Sequence, residues 1–212
     1  MKQILLLFII LPAISLSAQK ANDLFVHIPD SLMPLFSSVD RSVFADFLES
    51  NMKARVKNKF DTVSEMTDLT SDYIRLQVTP HSTWQMKLLA VSDTAKIICT
   101  VSTACAPACD SHIRFYTVNW GELPAQDYLP LLPKPDDFLQ IPDSIRIDKY
   151  GRVRVRTELA LIKADLSKTD NTLSFAFTAP HYPEEGEANP PEEYFRGVVV
   201  YEWKNEKFQP VR

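Results

Sequence analysis

Four runs of alternating apolar and polar residues follow one another in the middle of this chain. They span Tyr73–Val78, Trp84–Ala90, Lys96–Ser102 and His112–Val118. Alternation with a period of two is typical of β-strands that bury one face. Short turn-forming segments separate the runs, and short connections join antiparallel neighbours. The pattern therefore predicts an antiparallel β-meander with its strands in chain order.

The register of this meander follows from pairing apolar side chains with one another. The first hairpin is centred on His81, the second turns at Ser92-Asp93, and the third is centred on Pro107. The predicted ladder pairs are Val78 with Trp84, Leu88 with Ile97, and Val101 with Ile113. A slip of one residue would send a strand's apolar set to the other face. We therefore expect all the apolar residues of the meander to share one face.

The other face of the predicted meander is polar. Under this register it carries Arg75, Gln77, Gln85, Lys87, Thr100 and Arg114. An antiparallel sheet with a polar face resembles a binding platform. The candidate ligand-facing residues are Arg75, Gln77, Gln85, Lys87 and Arg114.

A helix is predicted before the meander, over residues 38–52. Its apolar residues recur at helical spacing: Val39, Val43, Phe44, Phe47 and Leu48. Ser37 and Asp40 resemble a capping box at its start. The opposite side carries Asp40, Arg41, Asp46 and Glu49. We expect the apolar stripe to cover the apolar face of the meander, with Arg41 in solvent.

The second half of the chain is predicted to be antiparallel as well. Residues 123–142 contain five prolines, which favours a connector with at most one or two helical turns. Alternating runs follow at Ser144–Asp148, Arg152–Thr157, Thr172–Ala179, Gly197–Trp203 and Lys207–Val211. The fold class is α+β, with a helix–meander unit over 19–122, the connector, and a second β unit over 143–212.

Residues 1–18 have the pattern of a secretory signal peptide. Lys2 precedes an apolar run from Ile4 to Ile14, and small residues follow up to Ala18. No later stretch approaches the roughly 18 apolar residues of a transmembrane helix. No cysteine stands at the expected cleavage site to carry a lipid. We expect export to the periplasm or the cell surface.

Composition excludes several classes of ligand. Acidic residues (27) outnumber basic ones (23), which argues against nucleic acid. Only four glycines occur, too few for a Gly-rich phosphate loop. The four histidines are scattered, and none has a partner at metal-ligand spacing. We expect no metal and no cofactor.

Three cysteines allow one disulfide in an exported chain. The Pro107-centred hairpin places Cys105 opposite Cys109, whereas Cys99 alternates with Ile97 and Val101 on the apolar face. A structural disulfide between Cys105 and Cys109 is favoured, with a redox-active pair as the alternative. The adjacent Asp110, Ser111 and His112 are triad residue types, but neighbours on a strand point to opposite faces, so they predict no catalytic triad.

Two basic stripes alternate with apolar residues, one at Lys53–Phe60 and one at Arg152–Arg156. Such stripes protect the edge of a sheet from pairing with other chains. Edge protection is the more usual role, and the alternative is that they hold an anionic ligand, for instance an acidic glycan or a phosphate-bearing lipid.

Several motifs resemble those of an uncharacterised family of exported Bacteroidales proteins, a domain of unknown function. They are Arg55–Phe60, Leu69–Tyr73, Met86–Leu89, Cys105–Ser111, Phe115-Tyr116 and Trp120, with the closing Tyr201–Trp203 and Lys207-Phe208. The resemblance implies a Gram-negative envelope and brings no activity with it. The residues favour a non-catalytic binding or interaction module for an envelope protein or glycan. The alternatives are an envelope enzyme of unknown class, such as a hydrolase or a thiol-disulfide exchanger, and an inhibitor or accessory factor of another envelope protein.

Overall fold

The computed structural model of the protein describes residues 20–138, 161–178 and 197–211. These residues form two antiparallel sheets and a few short helices. The helices are α1 (Ala21–Val26), α2 (Ser38–Glu49) and α3 (Ala125–Tyr128), with a 3-10 helix at Pro135–Phe138. The strands of the first sheet are β1 (Ala54–Lys57), β2 (Val63–Leu69), β3 (Tyr73–Thr79), β4 (Ser82–Ala90), β5 (Lys96–Cys105), β6 (Cys109–Thr117) and β7 (Glu122–Leu123). Those of the second sheet are β8 (Ile162–Leu166), β9 (Thr172–Phe177), β10 (Val199–Lys204) and β11 (Lys207–Pro210).

Both sheets are meanders, and the α+β class is confirmed. The first sheet has the order β1 to β7, and the second has the order β11-β10-β9-β8. The strands predicted at Thr172–Ala179, Gly197–Trp203 and Lys207–Val211 correspond to β9, β10 and β11. The predictions at 1–18, 144–148, 152–157 and 139–142 lie outside the described residues.

The register of the third hairpin is confirmed, and the registers of the other two hairpins are wrong. Strands β5 and β6 pair Val101 with Ile113 and Cys105 with Cys109. Between β3 and β4, the two-residue turn at Pro80-His81 and a one-residue shift between Gln77 and Thr79 together displace the pairing by two residues from the prediction, so Trp84 faces Leu76 instead of Val78. This displacement leaves the faces unchanged because the side-chain period is two.

The error in the second hairpin is one residue, and it exchanges the two faces of β5. Leu88 pairs with Ile98, not with Ile97. Ile97, Cys99 and Val101 therefore lie on the face opposite to Trp84 and Met86. The cause is that β5 is buried on both sides from Ile97 to Val101. When both faces of a strand are buried, its apolar residues do not alternate with polar ones, so the sequence pattern does not favour one register over the next.

Two apolar cores form, one on each face of the first sheet. The helix-side core joins α1 and α2 to the face that carries Leu76, Trp84 and Met86. The other core joins Cys99, Val101 and Phe115 to the second sheet, through residues such as Phe175 and Phe208. We call these the helix-side face and the second-sheet face. The core of the second sheet is thus shared with the meander.

Helix α2 begins with the predicted capping box. Ser37 Oγ accepts a hydrogen bond from Asp40 N–H, and the Asp40 carboxylate accepts one from Ser37 N–H. The placement of two other residues differs from the prediction, because Val39 is 69% exposed and Arg41 is only 2% exposed. Buried Arg41 donates to the carbonyl oxygens of Val26 and Phe36 and pairs with Asp30. Arg41 therefore donates hydrogen bonds to backbone carbonyl groups at both ends of the irregular segment between α1 and α2. The sequence pattern did not predict how that segment packs.

Candidate functional site

The polar residues predicted to face a ligand meet the second sheet of the same chain. Gln85 is 1% exposed, and its side chain lies between the two sheets. Its Oε1 accepts a hydrogen bond from Leu166 N–H at 2.7 Å, and its Nε2 donates to Asp165 at 2.8 Å. Arg75 reaches the same Asp165 carboxylate at 3.0 Å. These polar side chains connect β3 and β4 to β8.

Strand β8 explains why polar side chains are needed at this interface. It is an edge strand of the second sheet, so alternate N–H groups have no ladder partner. The first sheet supplies their acceptors: Asp110 for Ile162, Ser111 for Ala164, and Gln85 for Leu166. Buried N–H groups need such partners. Side chains of one sheet thereby cap the edge of the other.

Lys87 is the most deeply buried charge on this face, at 2% exposure. Its Nζ pairs with Asp72 at 3.0 Å, donates to the Lys168 carbonyl oxygen, and lies 5.9 Å from the centre of the Tyr73 ring. Partial burial raises the pKa of Asp72, but hydrogen bonds from Lys87 and Thr70 outweigh it and lower that pKa overall. The pair holds the turn before β3 against the second sheet.

The other two candidate residues lie elsewhere. Gln77 Nε2 donates to the carbonyl oxygens of Thr79 and Ser82 and so closes the β3–β4 turn. Arg114 is exposed on the helix-side face, because its strand pairs it with Thr100 and not with a residue of the Gln85 face. The five side chains therefore do not form one surface. Gln85 and Lys87 are buried by the chain itself, which corrects the prediction of an open polar platform.

An open recess does exist on the opposite, helix-side face. It has a volume of about 490 Å³ and lies between the segment Leu32–Phe36 and strands β4 to β6. Val78 and Trp84 line it beside Ser82, Ser102, Ala104 and His112. We call this recess the groove. Its volume is within the roughly 300–1,000 Å³ typical of ligand sites.

The two walls of the groove differ in chemistry. One wall is the apolar segment Leu32–Phe36, which turns over itself through hydrogen bonds from Leu32 and Met33 N–H to Pro29 O. Arg41 fixes the end of this segment by donating to Phe36 O at 2.8 Å. The other wall is mixed, because Val78, Trp84 and Ala104 lie there beside two polar residues, Ser102 and His112, which pair across β5 and β6 in one rung of the sheet. Both residues are exposed there.

Of the nucleophilic side chains near the groove, Ser82 and Ser102 line it, whereas Ser111 and Cys99 belong to the second-sheet face. Ser111 Oγ lies on the second-sheet face, within 2.7 Å of Thr103 Oγ1. Cys99 is the free cysteine, and complete burial raises its thiol pKa far above the ordinary value. Cys105 and Cys109 are joined in a disulfide at the end of the β5–β6 hairpin, as predicted. In the part of the chain that the structure describes, no three His, Cys, Asp or Glu residues cluster as metal ligands.

Sequence reasoning did not find the groove. Leu32–Phe36 has no periodicity, Ser102 stood out only as the end of an alternating run, and His112 only as one of three adjacent triad residue types. The one available signal was the pair Pro29 and Pro34, which marks a turn-rich segment just before the capping box. Its position over Trp84 depends on long-range packing.

The fold and the recess define a mostly antiparallel, two-sheet α+β protein with an open groove beside its helices. Residues 13–208 match the family described as "Protein of unknown function (DUF3256)", and the chain belongs to that family. This match confirms the resemblance found in the sequence. No curated protein matches the chain. None of the described helices is long and apolar enough to cross a membrane.

A solved structure shares the fold. It is described as a domain of an uncharacterized protein from Porphyromonas gingivalis W83, with a TM-score of 0.74 and 23% sequence identity. The alignment covers 92% of this chain and 100% of that one. At this identity the likeness establishes the architecture.

Proposed function

We propose that this protein is a non-catalytic binding module of the bacterial cell envelope that holds an extended peptide segment of another envelope protein. The groove carries the proposal, because one of its walls is apolar and the other carries exposed polar side chains beside Trp84. Export through the N-terminal signal places the site in the periplasm or on the cell surface. In this proposal the polar second-sheet face is structural and contacts no ligand.

An extended peptide matches both walls of the groove at once. Its alternate apolar side chains would pack on Leu32–Phe36 and Trp84, while its backbone amides would meet Ser102 and His112. An acyl chain would leave the hydroxyl of Ser102 and the imidazole of His112 without hydrogen-bond partners in the ligand. A glycan would leave the apolar wall without a matching surface. A peptide is thus favoured over the other ligand classes considered.

The rival interpretation, an envelope hydrolase or thiol-disulfide exchanger, has less support. A hydrolase needs a nucleophile and a base within hydrogen-bond reach. Ser102 and His112 share a rung in the groove, but no hydrogen bond joins these two side chains in the described part of the chain, and the Ser111 hydroxyl is bonded to Thr103 and to Ala164 N–H on the far face. A thiol exchanger needs an accessible thiolate of lowered pKa, and buried Cys99 has a raised one.

The test uses peptides as the probe. Random octapeptides displayed on phage are selected against the mature protein, and the enriched peptides are synthesised and titrated by calorimetry. Ala104→Arg fills the groove from an exposed position and should weaken binding at least tenfold. Ala125→Arg, on exposed α3, is the matched control and should leave binding unchanged. Failure to select any peptide, or equal binding to both variants, would overturn the peptide proposal.

Export has a separate test. The full-length chain is expressed in a Gram-negative host, and the fractionated protein is sequenced from its N-terminus. We expect mature protein in the periplasm or on the surface, starting after Ser17 or Ala18. An intact N-terminus in the cytoplasmic fraction would contradict export but would leave the proposal of peptide binding in the groove unaffected.

A further inference from the structure

The turn between β1 and β2 exposes a set of apolar side chains next to lysines. Phe60 at its tip is 70% exposed, and Val63, which opens β2, is 60% exposed. Lys59 N–H donates to Leu35 O at 3.2 Å, which places the turn beside the segment that leads into α2. Exposed Val39 is in the first turn of that helix. We call Lys57, Lys59, Phe60 and Val63 the tip patch.

The turn is held rigidly, so Phe60 is presented in a defined position. Asn58 is 5% exposed at the base of the turn, and its Nδ2 donates to Thr62 Oγ1, Ser64 Oγ and Val78 O. Its Oδ1 accepts hydrogen bonds from Phe60 N–H and Thr62 N–H. A preorganised backbone loses little entropy when the side chain at its tip is buried by a partner.

The charge around the tip patch has the opposite sign to the rest of the chain. Residues 53–65 contain Lys53, Arg55, Lys57 and Lys59 but only Asp61 and Glu65 as acids, in a chain of net charge −4. Lys57 pairs with Asp61 and Arg55 with Glu65, both at 2.8 Å. Such exposed pairs are weak and exchange readily for other anions. A surplus of positive charge therefore flanks the exposed phenyl ring.

We propose that the tip patch docks on an anionic phospholipid surface. Phe60 and Val63 would enter the boundary between headgroups and acyl chains, and Lys57 and Lys59 would contact lipid phosphates. The exposed area of one phenyl and one valine side chain is small beside a stable protein interface, but it is enough for shallow insertion that the neighbouring lysines support. This inference goes beyond the proposed function and does not depend on peptide binding.

The same turn lies next to the groove. Lys59 N–H bonds to Leu35, and Asn58 Nδ2 bonds to Val78 O, and both Leu35 and Val78 line the groove. A membrane contact at the tip would therefore hold the groove close to the bilayer surface. Peptide segments emerging from that membrane would be within reach of the site.

The test is vesicle flotation of the mature protein. Vesicles of phosphatidylcholine alone are compared with vesicles of equal parts phosphatidylglycerol and phosphatidylcholine. We expect binding to the anionic vesicles only, and its loss in high salt. Phe60→Ser should reduce the partition coefficient at least fivefold. Lys57→Gln with Lys59→Gln should reduce it by roughly fivefold per lysine.

Matched variants on other surfaces separate the patch from general charge and hydrophobicity. Leu132→Ser removes an exposed apolar side chain, and Lys204→Gln with Lys207→Gln removes two exposed lysines of the second sheet. These controls should bind vesicles as the parent does. Binding to anionic vesicles that is insensitive to Phe60→Ser, or no preference for anionic over neutral vesicles, would overturn the proposal. Full displacement by a soluble sulfated glycan, together with an unaffected Phe60→Ser, would point to an acidic glycan as the ligand.

Discussion

The two faces of the first sheet differ in what covers them and in the chemistry this demands. The helix-side face is packed by α1 and α2 through Phe25, Phe44 and Trp84, and it leaves an open groove where the helices end. The second-sheet face carries Arg75, Gln85 and Lys87 and is closed by the edge strand β8. Backbone N–H and C=O groups in the middle of a helix are hydrogen-bonded within the helix, so a helix can pack on an apolar face. An edge strand has unpaired N–H groups and needs acceptors on the face that it covers.

This difference reverses the usual meaning of polar and apolar residues on a sheet. The polar side chains are buried because they pair with backbone groups of β8. The open recess is instead on the face with the apolar core. A polar strand face thus indicates either solvent or another sheet's edge, and only the partner distinguishes the two cases.

The largest expected effect comes from removing a side chain that both sheets share. Phe208→Ala deletes a ring that is 1% exposed and packs against Phe115 of the first sheet. We expect a loss of about 3–5 kcal/mol in the free energy of unfolding. Because the core is shared, tryptophan fluorescence and circular dichroism should still report one coincident urea transition. Phe60→Ala, at an exposed position, is the control and should cost less than about 0.5 kcal/mol. Two separate transitions would show that the faces unfold independently.

A smaller effect is expected from Gln85→Ala. The variant leaves the buried Leu166 N–H without its acceptor. An unsatisfied buried group costs about 1–3 kcal/mol, and we expect a value near the middle of this range in urea denaturation. Hydrogen exchange at the Leu166 amide should accelerate more than exchange at helix-side amides. Gln126→Ala on α3 serves as the exposed control, and equal effects of the two variants would contradict edge capping.

The Cys105–Cys109 disulfide lies at the end of the first sheet, so its contribution to stability is separate from the packing on either face. Cys105→Ser opens a loop of a few residues, so the loss should be about 2 kcal/mol or less. Ala108→Ser in the same loop is the control. Mass spectrometry of non-reduced digests should find Cys105 joined to Cys109 and Cys99 free. Ready reduction by glutathione would instead favour a redox role for the pair.

The smallest effect is expected at Asp72, which is exposed enough for solvent to screen its pair with Lys87. Asp72→Asn should cost about 1 kcal/mol at neutral pH. Because the folded pKa of Asp72 is lowered, its contribution is present above the ordinary carboxyl pKa and is lost as the pH falls through the folded value. Parent and variant should therefore converge in acid. Asp93→Asn, in the β4–β5 turn, is the control for the loss of one carboxylate. Stability curves of the parent and Asp72→Asn that stay parallel into acid would contradict the predicted sign.

Local features of the fold were predictable where neighbours in sequence decide them. The capping box at Ser37 and Asp40 and the Cys105–Cys109 register depend on a few residues close in the chain. The β4–β5 register was not predictable, because residues Ile97 to Val101 are buried on both sides and either slip would bury apolar groups. The buried position of Arg41 was also missed, since its acceptors Val26 and Phe36 belong to an aperiodic segment.

By itself the sequence determined the antiparallel meander, the α+β class and the disulfide, because period-two alternation, short turns and a short cysteine loop are local properties. Only the tertiary structure decided which face stays open. Two elements far along the chain, β8 and the Leu32–Phe36 segment, cover opposite faces of the same strands. The Leu32–Phe36 segment is held by Lys59 N–H and by Arg41, which donate to Leu35 O and Phe36 O. The placement of β8 depends on hydrogen bonds between residues some 50 to 90 positions apart, such as Ser111 with Ala164 and Arg75 with Asp165. No local pattern encodes such pairings, because each of these polar residues, taken alone, would suit a solvent-exposed position equally well.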